Sequence, residues 1–195
     1  MNIKSNPQDS QKSSIQGINE QKSSWLIVAG CSIGPVVLGM VSQEVVSIVG
    51  SPPATYDFPG ATAEQLQAAL GDLYDPEVHL PVEARRFLQY FHQGVSVELM
   101  DDVVSEINAF TGHLSGYEKG DYAPFSGQFE SLPLTLDTLA SEIRIALGPP
   151  SEEGNNEYAP IPQEWLYYGV LGLKFDINQQ THQISCISVR PAWNV

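Results

Sequence analysis

The feature that most constrains this chain is that it nearly repeats itself. Leu38-Gly39-Met40-Val41-Ser42-Gln43-Glu44-Val45 runs on to Val49-Gly50-Ser51-Pro52-Pro53, and Leu136-Asp137-Thr138-Leu139-Ala140-Ser141-Glu142-Ile143 runs on to Leu147-Gly148-Pro149-Pro150. Leu38 matches Leu136, Glu44 matches Glu142, Val45 matches Ile143 and Gly50 matches Gly148. Apolar residues at helical spacing make each stretch a short helix. Each ends at Gly, which takes the conformation a helix C-cap needs, before a Pro that cannot continue the helix. Ser42 and Asp137 are the expected caps.

A second pair of segments matches without gaps. Phe87 to Leu99 aligns with Trp165 to Ile177, Gly94 with Gly172 and Glu98 with Asp176. Each reads as two strands hinged near the shared Gly, or as one strand bulged there. A third strand follows in each copy, Val103 to Phe110 and Gln183 to Arg190. Thr62 to Leu70 reads as an additional helix capped by Thr62, and Trp25 to Ala29 as a first strand. Copies this small bury too little surface to stand alone. The expected fold class is therefore α+β, two tandem helix-plus-antiparallel-sheet repeats packed as one unit. The expected organisation is a flexible tail over 1–24, a first repeat over 25–112, a linker over 113–124 and a second repeat over 125–195. The tail is assigned on composition: it is rich in Ser, Gln, Asn and Lys and has almost nothing large and apolar to bury.

Charge narrows the classes of partner. The chain has 23 acidic and 9 basic residues, a formal net charge of −14. Residues 25–195 hold 21 of the acidic and 6 of the basic residues, a net −15. Nucleic-acid binding needs a basic patch and an anionic membrane surface needs cations, so neither is expected. A basic protein partner is favoured. No stretch approaches the ~18 apolar residues of a membrane span.

Catalytic patterns are weak. No nucleophile elbow, phosphate loop or zinc-protease motif occurs, and no cofactor or metal is expected. His92 and Glu98 would share a strand face, yet six residues of extended chain, roughly 20 Å, keep them from a hydrogen bond. Asp101-Asp102 and Glu152-Glu153 are adjacent carboxylates that read as exposed turns more readily than as a cation site. Cys31 and Cys186 are two cysteines without a framework, and a long-range disulfide stays open. Val28-Ala29-Gly30-Cys31 has the form of a lipoprotein cleavage box, but only Trp25 to Ala29 precede it as an apolar run, short of the ~7–15 residues of a signal. A strand entering a Gly turn is the simpler reading, and the cytoplasm the expected location.

Alternation along the strands assigns faces. Phe87, Phe91, Val95, Val97 and Leu99 are expected inward, with Trp165, Tyr167, Leu171, Leu173 and Phe175 in the second copy. Tyr90, His92, Ser96 and Glu98 are expected outward, with Tyr168, Val170, Lys174 and Asp176. A solvated sheet face accounts for such a mixture. A binding face does too, because Tyr offers large contact area at low entropic cost. The candidate partner-binding residues are Tyr90, His92, Glu98, Asp101, Asp102, Tyr168 and Asp176. The loop helix with Asp72, Asp75 and Glu77 is the next candidate surface.

Gly34-Pro35-Val36-Val37-Leu38-Gly39-Met40, then Glu44-Val45 and Gly50-Ser51-Pro52, resembles the opening of tandem-repeat immunity-type proteins of bacterial polymorphic toxin systems. Gly94-Val95-Ser96-Val97 and Gly172-Leu173-Lys174-Phe175 resemble the aromatic-rich strand that follows in that group. The layout is also similar to that of the β-lactamase inhibitor protein and, for one copy, of the small lipoprotein of the outer-membrane barrel-assembly machine. The resemblance implies a non-enzymatic protein that binds and neutralises a toxin. An acidic inhibitor would suit a basic, nuclease-type toxin. The alternative it implies is a structural or envelope-assembly module.

Overall fold

A computed structural model describes residues 25–112, 122–156 and 162–193. The expected tail over 1–24 and most of the expected linker over 113–124 lie outside these residues. The described chain is mixed α and β, with three α-helices and two sheets.

Helix α1 spans Ser42–Val49 and helix α3 spans Ala140–Leu147. Neither uses its expected cap. The N-caps are Val41 and Leu139, whose side chains cannot accept a hydrogen bond. Glu44 and Glu142 instead turn back, accepting from the Val41 amide at 3.1 Å and the Leu139 amide at 2.9 Å. A carboxylate there also faces the positive end of the helix. Both helices stop as expected: Gly50 (φ 97) and Gly148 (φ 81) donate to the carbonyls of Val46 and Arg144. Helix α2, Ala63–Leu70, is capped by Thr62 and has no buried residue.

The larger sheet has eight antiparallel strands. From one edge it runs β4 (Ala54–Phe58), β5 (Arg85–Tyr90), β6 (Val95–Met100), β7 (Val103–Phe110), β12 (Ile184–Val189), β11 (Leu173–Asn178), β10 (Gln163–Tyr168) and β9 (Glu152–Asn156). Its centre is the β7–β12 pair, in which Asn108 stands opposite Ser188. The smaller sheet runs β3 (Val36–Val37), β2 (Ser32–Ile33), β1 (Trp25–Val28) and β8 (Gly127–Phe129), with β1 and β8 parallel. Ile27, Ile33 and Phe129 of the smaller sheet, with Val45 of α1 and Ile143 of α3, join one face of the larger sheet in a single hydrophobic core.

The face assignment needs correction. Tyr90 (1% exposed) and Tyr168 (4%) belong to the core, where the sequence puts Phe87 and Trp165. The cause is turn length. Four residues, Phe91 to Gly94, connect the paired Tyr90 and Val95, and four, Gly169 to Gly172, connect Tyr168 and Leu173. Paired residues share a face. An even-numbered position before each turn therefore shares its face with an odd-numbered one after it. Leu88, Tyr90, Val95 and Val97 line the core, whereas Phe87, Gln89, Ser96 and Glu98 face away. In the other half Leu166, Tyr168, Leu173 and Phe175 line the core, and Trp165, Tyr167, Lys174 and Asp176 face away.

Edge strands β4 and β9 were not expected; both follow directly from the Gly-Pro helix stops and are mostly exposed.

Candidate functional site

The face of the large sheet that points away from the helices is polar along its middle. Register sets Gln89 of β5 opposite Ser96 of β6, Ser96 opposite Asn108 of β7, Asn108 opposite Ser188 of β12, and Ser188 opposite Lys174 of β11. These five side chains form one row across five adjacent strands. Ser188 Oγ donates to Asn108 Oδ1 at 2.6 Å. Around the row opens a cleft of about 580 Å³. Tyr56 and Phe87 wall one side, their ring centroids 6.1 Å apart. Phe110 and Tyr122 wall another, at 4.1 Å.

The charges on this face are matched. Lys174 Nζ lies 2.7 Å from Asp176 Oδ1. Glu98 and Glu106 stand directly opposite each other on β6 and β7, an arrangement that like charges disfavour. An arginine serves each: Arg85 Nη1 is 3.0 Å from Glu98 Oε1, and Arg190 Nε is 2.7 Å from Glu106 Oε2. Burial, and then the neighbouring Glu106, push the Glu98 carboxyl above the ordinary carboxylate range, against the pull of Arg85 and Arg190.

The candidate residues separate on this frame. Glu98 and Asp176 lie on the polar face, each in an ion pair. Tyr90 and Tyr168 lie behind it in the core, not on the outward face where alternation put them. His92 is exposed in the turn between β5 and β6, away from the buried Glu98. Asp101 and Asp102 form the two-residue turn between β6 and β7, with φ of 50° and 65°. A hairpin turn of this hand asks for positive φ at both positions, which Asp tolerates better than most residues. Their pairing thus has a structural cause, as the turn reading expects. Among the described residues no group of three His, Cys, Asp or Glu side chains could hold a metal ion. Cys31 and Cys186 are not joined in a disulfide, the first being exposed and the second buried.

Sequence reasoning missed the row itself. Asn108 and Ser188 lie 80 positions apart and meet only through the β7–β12 register, which no local pattern announces.

A second surface lies at the sheet edge. Residues 59–84 leave between β4 and β5 and are clamped at the base by paired backbone bonds between Ala61 and Val82. This arm carries Glu64, Asp72, Asp75, Glu77 and Glu83 and no Lys or Arg. It also exposes Leu73 (78%), Val78 (69%) and Leu80 (65%).

No known family, curated protein or solved structure matches the chain. No helix among the described residues is long and apolar enough to cross a membrane.

Proposed function

We propose that this chain is a non-enzymatic binding protein that neutralises a basic protein partner, in the manner of an immunity protein against a bacterial toxin, and that it works in the cytoplasm. The observation that carries the reading is the distribution of charge. All five cations of the described residues, Arg85, Arg86, Arg144, Lys174 and Arg190, are held in ion pairs with carboxylates. The five carboxylates of the arm have no cationic partner among those residues, and the same arm exposes Leu73, Val78 and Leu80 to water. Unmatched negative charge draws a basic surface in, and exposed Leu and Val give it something to bury.

A duplicated architecture supports the same reading. Helix α1 leads into β4 to β7 and helix α3 into β9 to β12, and β7 joins β12 at the centre of the sheet. We read this as two copies of one unit joined edge to edge, a plan that presents a broad, rigid surface. The resemblance to immunity-type proteins points the same way.

Co-expression with a toxin domain, where a neighbouring gene encodes one, tests the function. Cells carrying both are expected to grow, and cells carrying the toxin alone to die. Equal killing in the two cultures removes the immunity reading.

A further inference from the structure

We infer that the cleft on the polar face of the large sheet is a binding site for an uncharged saccharide, separate from the acidic arm. At about 580 Å³ it falls within the range of small-ligand sites, roughly 300–1,000 Å³. Its chemistry then narrows the ligand.

The floor offers hydrogen bonds without net charge. Asn108 Oδ1 is occupied by Ser188, which leaves the Asn108 amide nitrogen to donate and the Ser188 oxygen lone pairs to accept. Ser96 adds a hydroxyl beside them and Gln89 an amide at the rim. The ions at the cleft cancel: Lys174 holds Asp176, and Arg190 holds Glu106. A charged ligand meets charges that a partner already compensates, so it gains little from them against the desolvation of its own charge. A neutral ligand rich in hydroxyl groups meets the floor as it stands.

The walls ask for flat apolar faces. Tyr56 and Phe87 stand on one side and Phe110 and Tyr122 on another. Tyr56 is 59% exposed although it is a large aromatic, and the Phe87 ring beside it faces away from the core. A pyranose ring joins the two requirements in one molecule. Its hydroxyl groups spread around the edge, and its C–H faces stack on aromatic rings. The charges of the arm lie on a different segment from the residues that line the cleft.

Cellobiose, maltose and chitobiose titrated into the full chain by calorimetry and saturation-transfer NMR test the proposal, with adenosine and glucuronate as comparisons. At least one disaccharide is expected to saturate. Asn108→Leu and Tyr56→Ala should each weaken it by roughly tenfold, the scale of one well-placed contact. Leu73→Ser on the arm should leave it unchanged. Should Asn108→Leu lower the melting temperature, Ser188→Ala removes one hydroxyl at the same place, and Tyr56→Ala alters only an exposed ring. The proposal is overturned if no disaccharide saturates, if binding survives all three cleft variants, or if adenosine or glucuronate binds as well. Loss of toxin binding in the cleft variants, with saccharide binding absent, would assign the cleft to the protein partner and overturn it too.

Discussion

The Tyr90 hydroxyl donates to the Gly50 carbonyl at 3.1 Å, tying strand β5 to the residue that ends helix α1. Tyr168 makes the same bond to Gly148 at 3.1 Å, between β10 and the end of α3. Each tyrosine fills the core with its ring and satisfies a helix-terminal carbonyl with its hydroxyl. Tyr90→Phe and Tyr168→Phe are each expected to cost about 1 kcal/mol, the net worth of a hydrogen bond. Tyr90→Ala should cost about 3–5 kcal/mol, as for a large buried aromatic. Urea titration of the three variants checks this. A Tyr90→Ala protein as stable as its parent would show that Tyr90 faces solvent.

Leu88 and Phe87 are sequence neighbours on opposite faces of β5. Leu88 is 3% exposed in the core, and Phe87 looks into the polar cleft. Leu88→Ala is expected to lower stability by about 2–5 kcal/mol. Phe87→Gln should cost less than half as much, since a long polar side chain suits that face. The reverse order in denaturant midpoints would restore the alternation that the sequence suggests.

That reversal shows where the sequence was legible. Strand β7 spans Val103–Phe110, the range expected, because a β-rich run bounded by Asp101-Asp102 admits little else. The helix stops at Gly50 and Gly148 were legible because Gly followed by Pro acts locally. The faces of β6 and β11 were legible from alternation, with Val95, Val97, Leu173 and Phe175 in the core as expected, whereas those of β5 and β10 depended on how many residues each turn absorbs. Strands β4 and β9 were hidden because edge strands need no buried stripe; Glu152 to Asn156 looks like a loop. The parallel pairing of β1 with β8 and the Asn108–Ser188 contact are non-local and leave no periodic trace. Of the candidate contact residues, Glu98 and Asp176 reach the polar face, because their strands lie beyond the turns that shift the register.

Gly172 sits at φ +60 in the turn before β11, where a Cβ atom would press on the Arg190 carbonyl and come within 2.8 Å of Gly30 Cα. Gly39 has φ +86, with nothing within 4 Å of the same position. Both substitutions to Ala carry the strain of positive φ, about 1–2 kcal/mol. Only Gly172→Ala adds a clash with backbone that cannot swing aside, so its loss should exceed that of Gly39→Ala. Thermal unfolding of the pair measures the difference, and equal melting points would contradict the packing of this turn.

The pH dependence of stability should carry the mark of Glu98. Burial raises its carboxyl in the folded state above the unfolded value. The folded protein therefore holds that proton more tightly, and this contribution is present at low pH and lost as pH rises through the folded value. Glu98→Gln keeps the shape and removes the charge. The stability of Glu98→Gln minus that of the parent should thus be larger at about pH 7 than at about pH 4. Paired urea titrations at the two pH values give this difference. If the parent gains on Glu98→Gln with rising pH, the ion pair to Arg85 outweighs burial.

The arm should govern how fast a basic partner arrives. Asp72, Asp75 and Glu77 are exposed and have no cationic partner among the described residues, so converting them to Asn, Asn and Gln should leave stability within about 0.5 kcal/mol. Carboxylates at a rim act on association more than on dissociation, through steering that salt screens. The triple variant is therefore expected to associate with the toxin domain about tenfold more slowly at low salt, with a flatter dependence on ionic strength. Leu73→Ser and Leu80→Ser remove apolar contact instead, and should speed dissociation at every salt concentration. Surface plasmon resonance across a salt series separates the two effects. If the triple variant keeps the parent's association rate and salt slope, the basic surface docks elsewhere on the chain. Glu44 and Glu142, exposed at the starts of α1 and α3, then become the carboxylates to test.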